Sequence, residues 1–335
     1  MKKAGIIGVS GYTGLELIKI LLSHSGFEIS YLGASTQGEI SEIFPQLRGV
    51  LQMPVRVADA ADAAKACDLI FLALPHEKAM EFAREILKFK SVKVVDLSAD
   101  YRLSRELYEK NYTTHLDPRN LAHVVYGLPE LNREKIRAAR LTANPGCYPT
   151  CSILALAPFM QLLDPDTGVF IDAKSGVSGA GKALKTSSHF VSVNENAGAY
   201  SPILHRHADE IKEQLQILRG GAFSTLFVPN LLPITRGMLV SAFGVLQKSV
   251  DAEAVLREFY ANEPFVRVRS EPVSIKNVAG THFCDIFVKT AGDKIWINSA
   301  IDNLLRGASS QAVANANLMC GFAEATALPR IAHGI

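Results

Sequence analysis

The alternation of short apolar runs with amphipathic segments over residues 1–146 constrains the fold of this chain more than any other feature. Apolar runs predict buried strands at residues 3–8, 27–32, 68–74 and 92–97. Segments with one apolar helical face predict helices at residues 12–22, 76–87 and 132–140. Strands that alternate with helices are typical of a parallel sheet covered on both faces. We therefore predict an α/β domain with a doubly wound sheet in this part of the chain.

A different pattern follows the turn signal at Asn144, Pro145 and Gly146. Closely spaced strand-like runs lie at residues 168–173, 223–228, 238–246, 283–288 and 295–301, with predicted helices at 149–163 and 206–218. We expect a second, α+β domain with a partly antiparallel sheet. A last helical pattern covers residues 303–322, and its spacing alone leaves open whether it packs on the first or the second domain.

Composition and charge narrow the classes of partner. The chain has 335 residues, enough for about two domains, and its 48% apolar and 20% charged residues are the balance of a folded globular protein. A net charge of +2 is too small for a general nucleic-acid binder but is compatible with a small anionic substrate. No apolar run approaches the roughly 20 residues of a membrane helix, and no signal-peptide core follows the N-terminal lysines. We expect a cytoplasmic protein with no nucleic-acid or membrane partner.

A glycine-rich turn follows the first predicted strand and opens the first predicted helix. Glycines at such a turn let the backbone approach a pyrophosphate, whose charge is met by free N–H groups at the helix N-terminus. The spacing departs from the G-x-G-x-x-G fingerprint, so a plain strand–helix connection is the alternative. The candidate cofactor-binding residues in this turn are Gly8, Ser10, Gly11, Tyr12, Thr13 and Gly14.

The end of the second predicted strand bears on which dinucleotide binds. NAD sites usually carry an Asp or Glu there for the ribose 2′-hydroxyl, about 20 residues after the glycines. This chain instead has hydroxyl groups at Ser35 and Thr36 and no carboxylate. We therefore expect NADP(H), with both hydroxyls donating to its 2′-phosphate; the alternative is that both are ordinary turn residues.

Cys147 is the candidate nucleophile. It lies on a turn shaped by Pro145 and Gly146, directly before a helix predicted to begin near Pro149. A thiol at a helix N-terminus is favoured as the reactive thiolate. The five cysteines are odd in number and include no Cys-x-x-Cys pair, so we expect neither a disulfide framework nor a metal site.

Two histidines at the start of the predicted helix 206–218 are candidates for a proton shuttle. His205 and His207 are two residues apart, so on a helix they would not share a face, and at most one would be directed at Cys147. The same spacing disfavours a shared metal ion. The alternative for either imidazole is a surface or capping role.

Residues 176–183 nearly match the P-loop pattern G-x-x-x-x-G-K-[ST] and raise the possibility of a nucleotide hydrolase. Position 183 is Ala183, which lacks the hydroxyl that would hold Mg²⁺, and no neighbouring strand ends in a convincing magnesium-binding Asp. A glycine-rich loop beside a nicotinamide or an acyl phosphate explains the same residues without magnesium.

Taken together, these motifs resemble those of the N-acetyl-gamma-glutamyl-phosphate reductases, a family of the aspartate-semialdehyde dehydrogenase superfamily. The resemblance runs the length of the chain, and its motifs lie at residues 8–14, 74–76, 96–102, 126–130, 144–150, 175–182, 205–207 and 302–304. It implies an NADP-binding Rossmann domain at 1–146, an α+β catalytic and oligomerisation domain at 147–301, and a C-terminal helix within 302–335 that packs on the Rossmann domain. The implied reaction is NADPH-dependent reduction of N-acetyl-L-glutamyl 5-phosphate to the semialdehyde in arginine biosynthesis, through a cysteine thioester, by a homodimer or homotetramer.

The resemblance also implies roles for individual residues. Cys147 becomes the nucleophile and His205 its base, with His207 the less favoured base and a candidate for binding substrate. The residues expected near the cofactor are Pro75, Ser178, Gly179, Gly181 and Asn303. Arg102 and Lys182 are our candidates for the substrate phosphate or carboxylate; as an alternative, either is a surface charge or a salt-bridge partner.

Three other functions are weighed against this one. The same chemistry on an aminoadipyl phosphate held by a carrier protein is the nearest, and aspartate-semialdehyde dehydrogenase is the second. A regulator that senses NADPH without catalysis is the third, and it leaves Cys147 and His205 unexplained.

Overall fold

An eight-stranded sheet occupies the centre of the N-terminal part of the chain in a computed structural model that describes residues 1–183 and 185–334. Its strands are β1 (Lys2–Ile7), β2 (Phe27–Ala34), β3 (Gly38–Glu39), β4 (Pro54–Val57), β5 (Leu69–Leu72), β6 (Lys93–Asp96), β7 (Val125–Tyr126) and β8 (Leu141–Ala143). They lie in the order β3-β4-β2-β1-β5-β6-β8-β7, and all pairs are parallel except β3 with β4. The predicted doubly wound sheet is confirmed.

Helices cover both faces of this sheet. They are α1 (Tyr12–Leu22), α2 (Ile40–Ile43), α3 (Ala60–Ala66), α4 (Ala79–Ile86), α5 (Arg105–Asn111), α6 (Pro118–Leu121) and α7 (Pro129–Ala138). Ala63 of α3 and Ala83 of α4 share one core with Leu141 and Ala143 of β8. Thr142, between those two strand residues, points the other way, because successive strand side chains face opposite sides.

The C-terminal helix α12 (Ser310–Cys320) packs on the face of the sheet to which Thr142 points. The helices α8 to α11, which precede it in the chain, belong to the second domain. The Thr142 hydroxyl contacts Met319 Sδ of α12 at 3.2 Å. His24, just after α1, hydrogen-bonds Asn317 of α12 at 2.8 Å. Every residue from Ser310 to Met319 is buried, so α12 is a core element of the N-terminal sheet domain.

A seven-stranded mixed sheet forms the second domain. Its strands are β9 (Val169–Gly176), β10 (Gly198–Ala199), β11 (Thr225–Leu232), β12 (Met238–Val245), β13 (Val266–Val268), β14 (Cys284–Ala291) and β15 (Lys294–Ile301), in the order β10-β11-β9-β12-β15-β14-β13. Only β9 with β11 and β13 with β14 are parallel. The predicted α+β domain with a partly antiparallel sheet is confirmed.

Helices cover one face of the second sheet. They are α8 (Cys147–Leu156), α10 (His207–Arg219) and α11 (Ala252–Phe259), whereas the short helix α9 (Phe190–Val193) is mostly exposed. Of these, α8 contacts β12 and β15, α10 contacts β11, and α11 contacts β14. The helix-covered face is a row of buried side chains paired across five strands: Phe227, Ile171, Ala242, Ile297 and Val288.

The contacts divide the chain into two compact units. One unit comprises Met1–Pro145 and Ala308–Pro329, and the other comprises Gly146–Gly307 with the residues from Arg330 onward. Among the helices that the structure describes, none has the length and apolar character needed to cross a membrane.

Candidate active site

Cys147 is the first residue of α8. The sequence predicted a helix that begins near Pro149, which is two residues too late. A proline anywhere in the first helical turn loses no intrahelical hydrogen bond, so it does not mark the first residue of the helix. Gly146 precedes the helix in an extended conformation and offers no side chain to cap it. Residues Tyr148 to Leu156 are all buried, whereas Cys147 is only half-buried. The sulfur therefore lies at an uncapped helix N-terminus and is reachable from outside the core.

A buried carboxylate fixes the turn before Cys147. Gly146 N–H donates to Glu210 Oε1 at 2.9 Å, and Glu210, on α10, is only 2% exposed. Glu210 is not among the site residues predicted from the sequence. An acidic residue early in a helix is ordinarily solvated, so the sequence carries no signal for this contact between residues 64 positions apart.

His205 lies inside an aromatic cage. Its ring centroid is 5.3 Å from Tyr200, 5.7 Å from Tyr148, 5.8 Å from Phe227 and 4.8 Å from His207. Burial among these rings, together with a smaller effect of the Arg206 charge, lowers the pKa of His205 to about 4. The imidazole is therefore neutral at neutral pH.

The position of the proton on His205 follows from one hydrogen bond. The backbone N–H of His207 donates to His205 Nδ1 at 3.1 Å. Because an acceptor nitrogen carries no proton, the neutral ring holds its proton on Nε2. His205 precedes α10, which begins at His207, so the argument that both histidines occupy a helix was wrong. Both rings pack edge-on against Tyr148.

Two tyrosines next to this histidine pair form a short hydroxyl chain. Tyr200 donates to the Tyr148 hydroxyl at 3.0 Å, and Tyr148 donates to the carbonyl of Asn230 at 3.3 Å. Burial raises the pKa of both phenols, and the negative charge of a Cys147 thiolate raises the pKa of both further. Both phenols therefore stay protonated, and the sulfur lies within electrostatic range of both. The sequence motifs contained these tyrosines, but nothing in the pattern singled them out.

The glycine-rich loop after β9 brings together two of the residues expected at the cofactor. Asn303 Nδ2 donates to Ser178 Oγ at 2.9 Å, and Asn303 Oδ1 accepts from Gly237 N–H at 2.6 Å. Both side chains are buried. Gly179 and Gly181 follow in the exposed part of the loop, where the φ of +81° at Gly181 favours glycine.

The same loop lacks the helix on which a P-loop depends. Strand β9 ends at Gly176 and is followed by a four-residue 3-10 turn, Val177–Ala180, with Lys182 exposed beyond it. A P-loop cradles phosphates at the N-terminus of an α-helix, so the nucleotide-hydrolase alternative is not favoured.

In the other unit, the predicted dinucleotide turn has the geometry that a pyrophosphate requires. Gly8 has a φ of +90°, and a Cβ there would meet the Ala73 carbonyl oxygen at 2.2 Å. A Cβ at Gly14 would meet the Val9 carbonyl oxygen at 2.2 Å. At Gly11, which precedes α1, a Cβ would meet nothing closer than 3.8 Å, and no side chain caps the helix. A turn without side chains at Gly8 and Gly14, before a helix that no side chain caps, fits the pyrophosphate of a dinucleotide.

The remaining cofactor candidates of this unit lie at the carboxyl ends of neighbouring strands. Ser35 and Thr36 follow β2 directly and are exposed, and Pro75, after β5, is exposed as well. Tyr12 and Thr13 open α1, with Tyr12 39% exposed, and Ser10 is half-buried in the turn before them. Dinucleotides bind outside the carboxyl ends of strands in such sheets, and a contact between these residues and the cofactor stays a prediction.

Arg102 is enclosed by backbone oxygens. Its Nε donates to the Asn144 carbonyl at 2.7 Å and an Nη donates to the Leu97 carbonyl at 2.6 Å, and the residue is 7% exposed. These bonds tie together the ends of β6 and β8. A contact between Arg102 and substrate stays a prediction.

Metal ligation has no candidate in the described part of the chain, where no group of three or more His, Cys, Asp or Glu side chains is placed to hold an ion.

Comparison with known proteins gives the class first. Residues 3–139 match the family described as the semialdehyde dehydrogenase NAD binding domain, and residues 147–303 match the semialdehyde dehydrogenase dimerisation domain. A crystal structure of aspartate semialdehyde dehydrogenase with NADP from Candida albicans has the same fold, with a TM-score of 0.69 and 14% identity over 96% of this chain and 98% of that one. The chain thus has the fold and both domains of the semialdehyde dehydrogenases.

The relatives then narrow the class. The chain is 74% identical to N-acetyl-gamma-glutamyl-phosphate reductase of Campylobacter hominis over 100% of both chains. It is 58% identical to the protein of the same name from Wolinella succinogenes over 99% of both. The chain belongs to the N-acetyl-gamma-glutamyl-phosphate reductase family, which confirms the resemblance found in its motifs.

Proposed function

We propose that this protein reduces N-acetyl-L-glutamyl 5-phosphate to N-acetyl-L-glutamate 5-semialdehyde with NADPH and releases phosphate, a step of arginine biosynthesis. The observation that carries the proposal is the half-buried Cys147 at the start of the otherwise buried helix α8, in a chain 74% identical to a reductase of that name. A family of thiol-dependent reductases needs one reachable thiol, and α8 supplies it.

Cys147 is the nucleophile in this proposal. Its thiolate attacks the acyl carbon, the bond from that carbon to the phosphate oxygen breaks, and phosphate leaves with the bonding electrons. A thioester to Cys147 remains. The positive end of the α8 helix dipole, at its N-terminus, stabilises the negative charge that develops on the carbonyl oxygen.

NADPH supplies the hydride that reduces the thioester carbon. His205 then acts as a hydrogen-bond donor to the acyl oxygen through Nε2–H, because its Nδ1 is already an acceptor for the His207 backbone. The family resemblance implied a base, but a neutral ring with its proton on Nε2 favours the donor role. The carbon–sulfur bond breaks with its electrons returning to Cys147, so the aldehyde is released and the thiolate is restored.

NADP(H) is the cofactor in this proposal. The turn around Gly8, Gly11 and Gly14 binds its pyrophosphate, and the exposed hydroxyls of Ser35 and Thr36 donate to its 2′-phosphate. Discrimination against NAD rests on those hydroxyls. The double variant Ser35→Ala with Thr36→Ala therefore weakens NADPH binding more than NADH binding, as measured by nucleotide fluorescence.

An assay of the reverse reaction tests this proposal. Purified protein receives N-acetylglutamate semialdehyde, NADP⁺ and inorganic phosphate, and the absorbance of NADPH is followed. Phosphate-dependent reduction of NADP⁺ is expected. If only the longer aminoadipate analogue is turned over, the substrate is instead the carrier-bound aminoadipyl phosphate, and the thioester reaction is the same.

A cysteine variant separates the chemistry from cofactor binding. Cys147→Ser is expected to lose about 10³-fold or more in kcat, because a serine hydroxyl is not ionised at neutral pH, with NADPH affinity unchanged. Cys320→Ser, at another half-buried cysteine, is the matched control and keeps full activity. Turnover of Cys147→Ser within tenfold of wild type contradicts the thioester route.

The open face of the second sheet is the proposed contact between two copies of this chain. Residues paired across five strands there form an apolar row that ends in a lysine: Leu226, Phe170, Phe243, Trp296 and Lys289. Phe170 is 55% exposed and Phe243 46% exposed. An uncovered apolar row of this length marks an interaction surface, and the matched family is described as a dimerisation domain.

Light scattering during gel filtration tests this contact. Phe243→Glu is expected to produce monomers, whereas Phe190→Glu, at an exposed aromatic residue away from the sheet, leaves the assembly intact. An unchanged mass for Phe243→Glu refutes the contact. A cytoplasmic location is part of the same proposal, because a reducing compartment keeps Cys147 as a thiol.

A further inference from the structure

Gly307 lies directly against the nucleophile. It belongs to a π-helical segment, Leu305–Ser309, and is buried. A Cβ at Gly307 would be 2.6 Å from Cys147 Cβ and 3.1 Å from Cys147 Cα. Its φ is not positive, so backbone conformation does not call for glycine here. The neighbour that excludes a side chain at this position is Cys147.

The segment that carries Gly307 is anchored on several sides. Gly307 N–H donates to the Asp302 carbonyl at 2.9 Å. The Asp302 carboxylate accepts from Leu305 N–H at 3.0 Å and from Gly280 N–H at 2.7 Å. A π-helical turn inside regular structure is often a functional feature rather than an accident of packing.

The next residue adds a buried anchor. Arg306 is fully buried and contacts His282 Nε2 at 2.5 Å. Burial, followed by the charge of Arg306, lowers the pKa of His282 well below its usual value, so the imidazole is neutral and accepts from the guanidinium. An arginine buried this deeply cannot shift without losing its partner, so the segment cannot yield to a larger residue at Gly307.

The helix on the other side of the contact is equally fixed. Thr150 donates both its N–H, at 2.9 Å, and its hydroxyl, at 2.8 Å, to the Gly146 carbonyl. Gly146 N–H is held by Glu210. The Cβ of Cys147 is bonded directly to this fixed backbone. It therefore cannot rotate away from a side chain at Gly307, as the end of a long side chain could.

From these contacts we infer that Gly307 is a positioning residue that sets the depth of the Cys147 sulfur by leaving room for its Cβ. This inference rests on the proposed role of Cys147 as nucleophile. Carbon atoms in ordinary contact are about 3.5–4.0 Å apart. A methyl group at Gly307 therefore displaces the start of α8 by about 1 Å, and a misplacement of that size costs roughly 10²-fold in rate.

The first experiment compares Gly307→Ala with Gly221→Ala, a glycine with open space around it and a φ that is not positive. Gly307→Ala is expected to lower kcat roughly 100-fold. Its KM and its affinity for NADPH change less than about threefold, because misplacing the sulfur alters the reacting geometry rather than ground-state binding. The rate of Cys147 alkylation by iodoacetamide, followed from pH 5 to 9, also shifts relative to wild type. Gly221→Ala matches wild type in every measurement. A kcat above half of wild type for Gly307→Ala overturns the inference.

A double-mutant cycle tests the contact without using activity. Cys147→Gly removes the Cβ that Gly307→Ala would strike, so the thermal destabilisation caused by Gly307→Ala, roughly 2–10 °C, falls by more than half in the Cys147→Gly background. Equal destabilisation in both backgrounds refutes the contact. Because this readout is stability, it stands even if Cys147 is not the nucleophile, and a folded but inactive wild type identifies failure of the proposed function alone.

Discussion

The aromatic cage around His205 predicts a specific dependence of stability on pH. The folded-state pKa of this imidazole is about 4, and its unfolded value is about 6.5. A base whose pKa is lowered by folding takes up a proton preferentially in the unfolded state. Above pH 6.5 the ring is neutral in both states and does not reduce the free energy of unfolding. As the pH drops from 6.5 towards 4, protonation of the unfolded state lowers the free energy of unfolding.

The magnitude follows from the size of that difference. Each pKa unit corresponds to about 1.4 kcal/mol, so the full shift sets an upper bound of about 3.5 kcal/mol. The ring is half-buried, so solvent screening reduces the expected loss between pH 7 and pH 4.5 to about 1–2 kcal/mol.

The comparison that isolates this effect uses His205→Asn. Asparagine places an amide oxygen near the position of Nδ1 and keeps an acceptor for the His207 N–H, but it does not titrate. Urea unfolding from pH 4.5 to 8 is followed by the fluorescence of Trp296, the single tryptophan of the chain and a residue of the same unit. Wild type is expected to lose about 1–2 kcal/mol more than the variant as the pH falls.

Titrating groups common to both proteins, including His282, cancel in the difference. His189→Asn, which changes an exposed imidazole in the same unit, controls for the substitution itself. Parallel curves for wild type and His205→Asn over this range would refute the burial argument and, with it, the assignment of a neutral ring in the active site.

Two further predictions concern the nucleophile turn. Glu210→Ala leaves the Gly146 N–H without its carboxylate and is expected to destabilise the protein by about 1–3 kcal/mol in urea unfolding. Glu210→Gln keeps an acceptor and is expected to lose less than half as much stability. Equal losses for the two variants would argue against the bond. Burial raises the pKa of the Cys151 thiol to about 12, so brief treatment with iodoacetamide at pH 8 should alkylate Cys147 and spare Cys151; mass spectrometry of peptides checks this, and an adduct on Cys151 would contradict it.

The regular elements were predictable because their signals are local. The helix Tyr12–Leu22 and nine of the strands follow from apolar periodicity, which repeats within a few residues. The strands β3, β4, β7, β8, β10 and β13 are only two to four residues long and were not predicted. The boundaries were less accurate where the chain departs from regular geometry. Residues 303–322 have one helical pattern, but the structure has a π-helical segment at Leu305–Ser309 before α12 begins at Ser310. Nothing in the periodicity distinguishes a π turn from an α turn.

Local sequence was enough to predict most strands of the two sheets, the glycine turn at a strand end and a cysteine at the start of a helix, since each depends on residues adjacent in the chain. The surroundings of that cysteine depend on tertiary packing. Glu210 binds Gly146 across 64 positions, Asn303 binds Ser178 across 125, and Gly307 meets Cys147 from the far end of the same unit. Such contacts depend on how distant elements pack, and packing distances and burial leave no periodic trace in a single sequence.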